Sequence, residues 1–231
     1  MKILGVSAGF HDAAIAVVDN HGNIEFAAHS ERYSRIKNDA DISLELLNQI
    51  DMSEIGTIAY YEKPWLKQLR QWYSGQGVDW DRITVRQVLE QQLGPNRIRN
   101  CRLQSYGHHQ SHAAAGFQTS PFDRATVVVI DAIGEWDTVS IWGASYDSTG
   151  RAQYQKLWNQ QYPHSIGLFY SAITKSVGLK PMDEEYITMG MAAYGSTLGA
   201  AWLKEQFVDN VDKMNADDPF RRLNQLGNCQ G

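Results

Sequence analysis

One strand–loop–strand pattern occurs twice in the chain, and this repetition constrains the fold more than any other feature. Residues 3–17 run from an apolar strand pattern through a glycine-containing loop and Asp12 into a second apolar run, and residues 128–141 repeat this order with Gly134 in the loop. Glycine loops let backbone N–H groups approach an anion, so two such hairpins facing each other would hold the phosphates of a nucleotide. Two unrelated hairpins would give the same pattern, and the repeat alone leaves both interpretations open.

The wider pattern predicts an α/β chain with two pseudo-repeated parts. Apolar runs predict strands over residues 2–6, 14–18, 24–28, 57–61, 102–106, 126–131, 138–144 and 152–158. Helical spacing predicts helices over residues 43–50, 84–93 (capped by Thr84), 111–117 and 166–177. The first part has the order β-β-β-α-β-α-β-α, which resembles a ribonuclease-H-like unit. Residues 1–124 are therefore predicted to form a first lobe, and residues 125–231 an incomplete second one.

Two histidines and an aspartate predict a metal site. His108 and His112 are four residues apart, so on a helix they project from one face, and Asp131 ends the apolar run 126–130. Two imidazoles and a carboxylate suit iron, zinc or manganese better than calcium. His109 lies about 100° from that face and is predicted to pack or to support the ligands. The alternatives are surface histidines on a helix and an aspartate that ends a turn.

Bulk properties exclude several classes of protein. The net charge of −5 argues against a nucleic-acid binder held by a basic surface. No segment approaches the ~20 apolar residues of a membrane helix, and the first residues enter a strand pattern rather than a signal peptide. Cys101 and Cys229 lack metal-binding spacing, which favours free thiols in a reducing compartment. We therefore expect a cytoplasmic protein without nucleic-acid or membrane partners.

Six motifs occur in an order that resembles the O-carbamoyltransferases of the NodU/CmcH type. They span roughly residues 1–196 and comprise GFHDA (9–13), SERYSRIK (30–37), HHQSHA (108–113), DAIGEW (131–136), SIGLFY (165–170) and EYITMGMAAYG (185–195). The resemblance implies an actin-like fold with ribonuclease-H-like lobes.

The family's activity implies a donor, an acceptor and a partner. In the family, a YrdC-like domain makes carbamoyl adenylate from carbamoyl phosphate and ATP, and the actin-like domain transfers the carbamoyl group to a hydroxyl of a small-molecule acceptor. The chain resembles the N-terminal part alone. We therefore expect a truncated component whose YrdC-like domain, or missing C-terminal part, is supplied as a separate chain.

The resemblance also assigns roles to individual residues. It implies that His108, His112 and Asp131 hold a divalent metal, which in the family is iron. His11 matches the histidine of the carbamoyl-transfer site, and Lys37 is expected to act with it in catalysis. The implied substrate or nucleotide contacts are Asp12, Arg35, Gly134 and Glu135. Two positions depart from the family pattern, since Asn38 replaces a histidine and Thr188 replaces a lysine that would favour phosphate binding.

Three other functions remain compatible with the sequence. The chain could be a non-catalytic or half-site fragment that needs a second polypeptide, which Thr188 favours. It could be a metal-dependent hydrolase, although no further carboxylate cluster supports a two-metal site. It could also be an actin-like nucleotide-binding module of the sugar-kinase or threonylcarbamoyl-transfer type, from which His11 and the Arg35–Lys37 run distinguish it.

Overall fold

The computed structural model describes residues 1–204. Its strands are β1 (Lys2–Ser7), β2 (Ala14–Val18), β3 (Ile24–His29), β4 (Ile55–Tyr60), β5 (Arg102–Ser105), β6 (Arg124–Gly134), β7 (Asp137–Tyr146) and β8 (Ala152–Gln161). Its helices are α1 (Glu31–Ser34), α2 (Leu44–Leu47), α3 (Pro64–Tyr73), α4 (Val85–Leu93), α5 (Pro95–Ile98), α6 (His108–Gln118), α7 (Ile166–Ser176), α8 (Glu185–Ala192) and α9 (Ala200–Leu203). Short 3-10 turns lie at Met52–Glu54, Trp80–Arg82 and Thr197–Gly199.

The first sheet is mixed and has the strand order β3-β2-β1-β4-β5. Strands β1, β2 and β3 pair antiparallel through short loops, whereas β4 pairs parallel with β1 and β5 pairs parallel with β4. Parallel neighbours end at the same edge of a sheet, so the loops after β1, β4 and β5 lie together. Two hydrogen bonds continue the pairing into these loops, from the N–H of Tyr61 to the carbonyl of Val6 (3.3 Å) and from Tyr106 to Tyr60 (3.0 Å).

One face of this sheet carries the main hydrophobic core. Alternate residues of β1, β2 and β4 point to that face, as the period of a strand requires, and are covered by side chains of α2, α4 and α5. The core residues include Leu4, Val6, Ile15, Val17, Ile58, Leu46, Leu89, Leu93 and Ile98. Helix α4 begins as predicted, because Thr84 accepts from the N–H of Gln87 in a capping box.

A second sheet has the order β6-β7-β8. Helix α6 packs on it through a small cluster in which Ala113, Val129 and Trp142 are buried. Phe117 of the same helix is 1% exposed, and its ring centroid lies 5.0 Å from that of Tyr146. This packing fixes the orientation of α6.

The chain forms two compact units. Of the described residues, the first comprises 1–129, 134–136 and 141–158, and the second comprises 130–133, 137–140 and 159–204. In the second unit Ser165 caps α7 by accepting from the N–H of Leu168, and its hydroxyl donates to the carbonyl of Ala132 (2.6 Å). Helices α7 and α8 are joined there by a hydrogen bond from Ser171 to Glu185. The predicted lobe boundary after residue 124 stays a prediction.

The α/β class and the positions of the predicted strands are confirmed, while several helices differ from expectation. The helix predicted over 43–50 is only the four residues Leu44–Leu47, and the helix predicted from Ser111 begins at His108. Helices α3 and α8 and the short helices α1, α5 and α9 were not predicted. Among the described residues, none of the helices is long and apolar enough to cross a membrane.

Helix α2 offers a matched test of the core. Leu46 is fully buried and Leu44 is 63% exposed. We expect Leu46→Ala to lower the free energy of unfolding by about 2–5 kcal/mol, because it leaves a cavity under the sheet. Leu44→Ala should change it by less than about 0.5 kcal/mol. Urea unfolding of both variants measures the difference, and equal effects would contradict this account of the core.

Candidate metal centre

The predicted histidine ligands lie on the first turns of α6, directly after the carboxyl end of β5. His108 and His112 face the same side, and their Nε2 atoms are 3.1 Å apart. Two imidazole nitrogens that bind one ion at about 2.0–2.1 Å lie about 2.8–3.4 Å apart for ligand angles between about 90° and 109°. The observed spacing therefore fits two nitrogens of one coordination sphere.

Asp131 completes the predicted ligand set. One ligand atom from each of His108, His112 and Asp131 lies within 4.8 Å of the other two. Asp131 is in β6, where its carboxylate also accepts from the N–H of Ala132 (2.7 Å). Two imidazoles and a carboxylate fit a transition metal, since they supply borderline nitrogen ligands and one anionic oxygen. That these three residues bind an ion stays a prediction.

Glu62 lies behind His108 and was not predicted from the sequence. It follows β4, its side chain is 5% exposed, and its Oε2 atom is 3.6 Å from Nδ1 of His108. The Lys67 ammonium donates to Oε1 of the same carboxylate at 2.9 Å. Burial alone would raise the pKa of Glu62, but His108 and Lys67 outweigh it and hold the pKa below the ordinary value. A carboxylate on one nitrogen of a histidine orients the other nitrogen toward a metal.

Glu135 joins the loop after β6 to the starts of two helices. Its Oε1 atom accepts from the N–H of Lys63 (2.6 Å), just before α3, and from the N–H of His108 (3.3 Å), the first residue of α6. A carboxylate is favoured at a helix N-terminus, where unpaired N–H groups and the helix dipole attract negative charge. Burial raises the pKa of Glu135, and the two backbone donors oppose that shift. Glu135 therefore anchors the start of α6, the helix that carries His108 and His112.

Gly134 allows close contact between β6 and the histidines. A Cβ atom at this position would clash with Cδ2 of His108 and would lie 2.9 Å from Cδ2 of His109. No side chain fits in that space unless the histidines move. His109 is 3% exposed, as its position off the ligand face predicts. Gly134 therefore has a packing reason to be glycine, in addition to the predicted contact with substrate.

The predicted catalytic loop and the basic segment lie side by side. His11 is half exposed after β1, and its Nδ1 atom is 2.8 Å from Oδ2 of Asp12. The backbone of this loop donates to the segment after Lys37, from Gly9 to the carbonyl of Ala40 and from Ala13 to the carbonyl of Asp39 (both 2.7 Å). The structure thus brings His11 and Asp12 together with the segment that contains the basic pair.

Arg35 and Lys37 are themselves exposed on that segment. Arg35 adopts a left-handed conformation (φ 60°) at the end of α1, and so does Asn38 (φ 55°), the residue that departs from the family pattern. The turn is held by a hydrogen bond from the N–H of Asn38 to the carboxylate of Glu31 (3.3 Å). The basic side chains are therefore carried by a fixed turn rather than by a regular element.

Thr188 has a local packing partner in the second unit. Its hydroxyl donates to Oγ1 of Thr174, a fully buried residue of α7, at 2.9 Å. A lysine at this position would lack the hydroxyl that joins α8 to α7. The departure from the expected lysine thus accompanies a local packing contact.

Comparisons with known proteins point to one family. A family model described as "Carbamoyltransferase N-terminus" matches residues 66–228. The chain is 33% identical to the uncharacterized protein sll1178 of Synechocystis sp., over 95% of this chain and 38% of that protein. It is 28% identical to the nodulation protein NolNO of Sinorhizobium fredii, over 87% of this chain and 30% of that protein. An uncharacterized protein of Methanocaldococcus jannaschii, MJ1058, is 24% identical over the full chain and 49% of its own length. The chain spans less than half the length of these relatives.

The buried Glu62 carboxylate makes stability depend on pH. Its pKa is lower in the folded protein than the ordinary value of 4.5, so its stabilising effect is present above that value and is lost as the pH falls through the folded pKa. We expect Glu62→Gln to be destabilised most near pH 7, by roughly 1–3 kcal/mol, and to approach the parent protein in acid. Denaturant unfolding over a pH series measures this difference.

Glu54→Gln is the control for that series. Glu54 also pairs with a lysine, Lys2, but its side chain is 53% exposed. Exposed pairs contribute about 0–1 kcal/mol, so this variant should follow the parent protein at every pH. A Glu62→Gln difference that is constant with pH would contradict the assigned ionisation.

Proposed function

We propose that this chain, which belongs to the carbamoyltransferase N-terminus family, binds a divalent metal and transfers a carbamoyl group from carbamoyl adenylate to a hydroxyl of a small molecule. The observation that carries the proposal is the convergence of His108, His112 and Asp131, with ligand atoms within 4.8 Å of one another, in a chain of this family. The fold we propose is actin-like, with residues 1–124 as its first ribonuclease-H-like lobe. The strand order β3-β2-β1-β4-β5 supports this.

The donor set supports a transition metal, and the family resemblance favours iron. When bound, the ion would supply positive charge that stabilises AMP as the leaving group. The protein's own contribution is to hold the ligands. Glu135 fixes the first residue of α6, and the negative charge of Glu62, 3.6 Å from Nδ1 of His108, would favour the ring orientation in which Nε2 lies beside Nε2 of His112.

His11 and Asp12 suit proton transfer from the acceptor. A contact between Nδ1 of His11 and the Asp12 carboxylate favours the tautomer with the proton on Nδ1, which leaves Nε2 able to accept one. In the proposed step the acceptor oxygen bonds to the carbamoyl carbon, the bond from that carbon to the phosphate oxygen of the adenylate breaks, and AMP leaves. The hydroxyl proton passes to Nε2 of His11. The products are the carbamate ester and AMP.

Arg35 and Lys37 are proposed to hold the anionic donor. They are exposed, and their segment is hydrogen-bonded to the loop of His11, so a phosphate or carbamoyl oxygen bound there would lie near that ring. At Glu135 the carboxylate already accepts two backbone N–H groups. Any phosphate contact in the Gly134–Glu135 loop is therefore proposed to come from backbone N–H groups rather than from that side chain.

The donor would come from a YrdC-like domain or from a separate chain, in a cytoplasmic setting. A half-site protein is the second candidate, and the engagement of Thr188 with Thr174 favours it, because the expected phosphate-binding lysine is absent at that position. The two candidates differ in one measurable property. A half-site protein binds metal without releasing AMP from carbamoyl adenylate.

The direct test uses the full chain loaded with ferrous or zinc ion. We expect about one bound metal per chain, and release of AMP from carbamoyl adenylate with formation of a carbamate on small polyhydroxyl compounds. His112→Ala should lose both the metal and AMP release, because it removes one of three ligands. His21→Ala, a change in an exposed turn, is the control and should retain both.

The outcomes separate the candidates. Bound metal without AMP release supports the half-site protein. Full metal content in both His108→Ala and His112→Ala contradicts the ligand assignment. Carbamate formation that survives removal of the metal contradicts its role in transfer.

Gly134→Ala tests the packing behind the ligands without replacing any of them. The added methyl group must displace the ring of His108, so we expect metal affinity to fall by roughly 10–100-fold, the range found when support of a ligand is lost. Gly143→Ala in β7 is the matched control, because its Cβ would meet Leu157 only at an ordinary 3.8 Å. Metal titration followed by competition with a chelator measures both affinities, and equal affinities would contradict the proposed packing.

A further inference from the structure

Helix α3 exposes apolar side chains and buries polar ones, which is the reverse of a helix that packs on a hydrophobic core. Its exposed side chains are Trp65, Leu69, Trp72 and Tyr73, which are 53%, 45%, 65% and 65% exposed. On a helix these four positions fall within an arc of about 100°. Apolar residues that form a continuous exposed stripe mark an interaction surface more often than scattered ones do. We call these four residues the α3 stripe.

The polar residues of α3 face the protein and are bonded there. The side-chain amide oxygen of Gln68 accepts from the N–H of Asp79 (2.7 Å), and Nε of Arg70 donates to the backbone carbonyl of Glu135 (3.2 Å). Lys67 pairs with the buried Glu62. The orientation of α3 is therefore fixed by three polar contacts. It cannot rotate to bury its apolar side without losing them.

We propose that the α3 stripe binds a second copy of this chain in a two-fold symmetric dimer. Leu69 lies at the middle of the stripe, with Trp65 four residues before it and Tyr73 four residues after it. Two antiparallel α3 helices that cross at Leu69 would place Trp65 of each copy against Trp72 and Tyr73 of the other. A two-fold interface requires a self-complementary patch, and this spacing provides one.

The charges of α3 permit contact with a second copy, and the area of the stripe sets the expected strength of the dimer. The cations of α3, Lys67 and Arg70, are engaged on the inner side, so no like charges of this helix would meet across the axis. The stripe exposes on the order of 400 Å², taking roughly 150–250 Å² for a whole aromatic side chain. A standard interface buries about 800 Å² on each partner, so the stripe alone supports a weak dimer that forms at high concentration.

An anionic membrane surface fits the stripe less well. Asp79 and Asp81 are exposed in the turn next to α3. Their carboxylates would be repelled by acidic lipids, which attract clusters of Lys and Arg. A second copy of the apolar stripe therefore fits better than an acidic membrane surface.

The test measures the mass of the full chain in solution by sedimentation over a broad range of concentrations. We expect the parent protein to approach twice its 26.1 kDa mass as concentration rises. Leu69→Glu and Leu69→Lys should each weaken the dimer by about 100-fold or more, because each places like charges together at the axis. Mixing the two variants should restore the dimer, since residue 69 faces itself and Glu then meets Lys.

Leu44→Glu is the control, because Leu44 is exposed on another helix and should leave the dimer intact. Circular dichroism of each variant verifies folding. The proposal is overturned if the parent chain stays monomeric at every concentration. That outcome includes a stripe that is covered by another segment of the same chain. A Leu69→Glu protein that still dimerises overturns it too, and a mixture that stays monomeric contradicts the two-fold arrangement.

Discussion

The parallel pairing of β1, β4 and β5 is the constraint on which the candidate site depends. Because the three strands end at one edge of the sheet, the loops that follow them lie together. His11 follows β1, Glu62 follows β4, and His108 follows β5. Strand pairing thus brings residues about 50 positions apart in sequence to the same edge of the sheet. Open α/β sheets place their ligands at this edge for the same reason.

Close packing then sets the precision of the site. Gly134 allows the backbone of β6 to contact His108, and Glu135 binds the N–H of the same residue. Glu62 contacts its ring from behind. The backbone of His108 is therefore hydrogen-bonded, its ring is packed against Gly134, and a carboxylate lies 3.6 Å from its Nδ1 atom. Its freedom to rotate is small before any ion binds, so little conformational entropy would be lost on binding.

Much of this arrangement could be predicted from local sequence patterns. Alternating apolar runs identified the strands, the Thr84 capping signal identified the start of α4, and the four-residue spacing of His108 and His112 identified a shared helix face. Glu62 was missed, because a single glutamate after a strand carries no spacing signal. Its role depends on the parallel pairing of β4 with β5, which no local pattern specifies. The sequence offered only its position, since Glu62 directly follows the strand predicted over residues 57–61.

Helix α3 shows why hydrophobic periodicity can mislead. The periodicity rule assumes that the apolar side of a helix faces the core, but here Gln68 and Arg70 are buried and the tryptophans are exposed. The inner side is polar because Lys67 donates to the carboxylate of Glu62 and Arg70 donates to the backbone carbonyl of Glu135. Both glutamates also contact His108. A site that needs buried polar partners therefore forces the apolar residues of a neighbouring helix outward. The stripe on α3 and the support of His108 are then two consequences of the same packing.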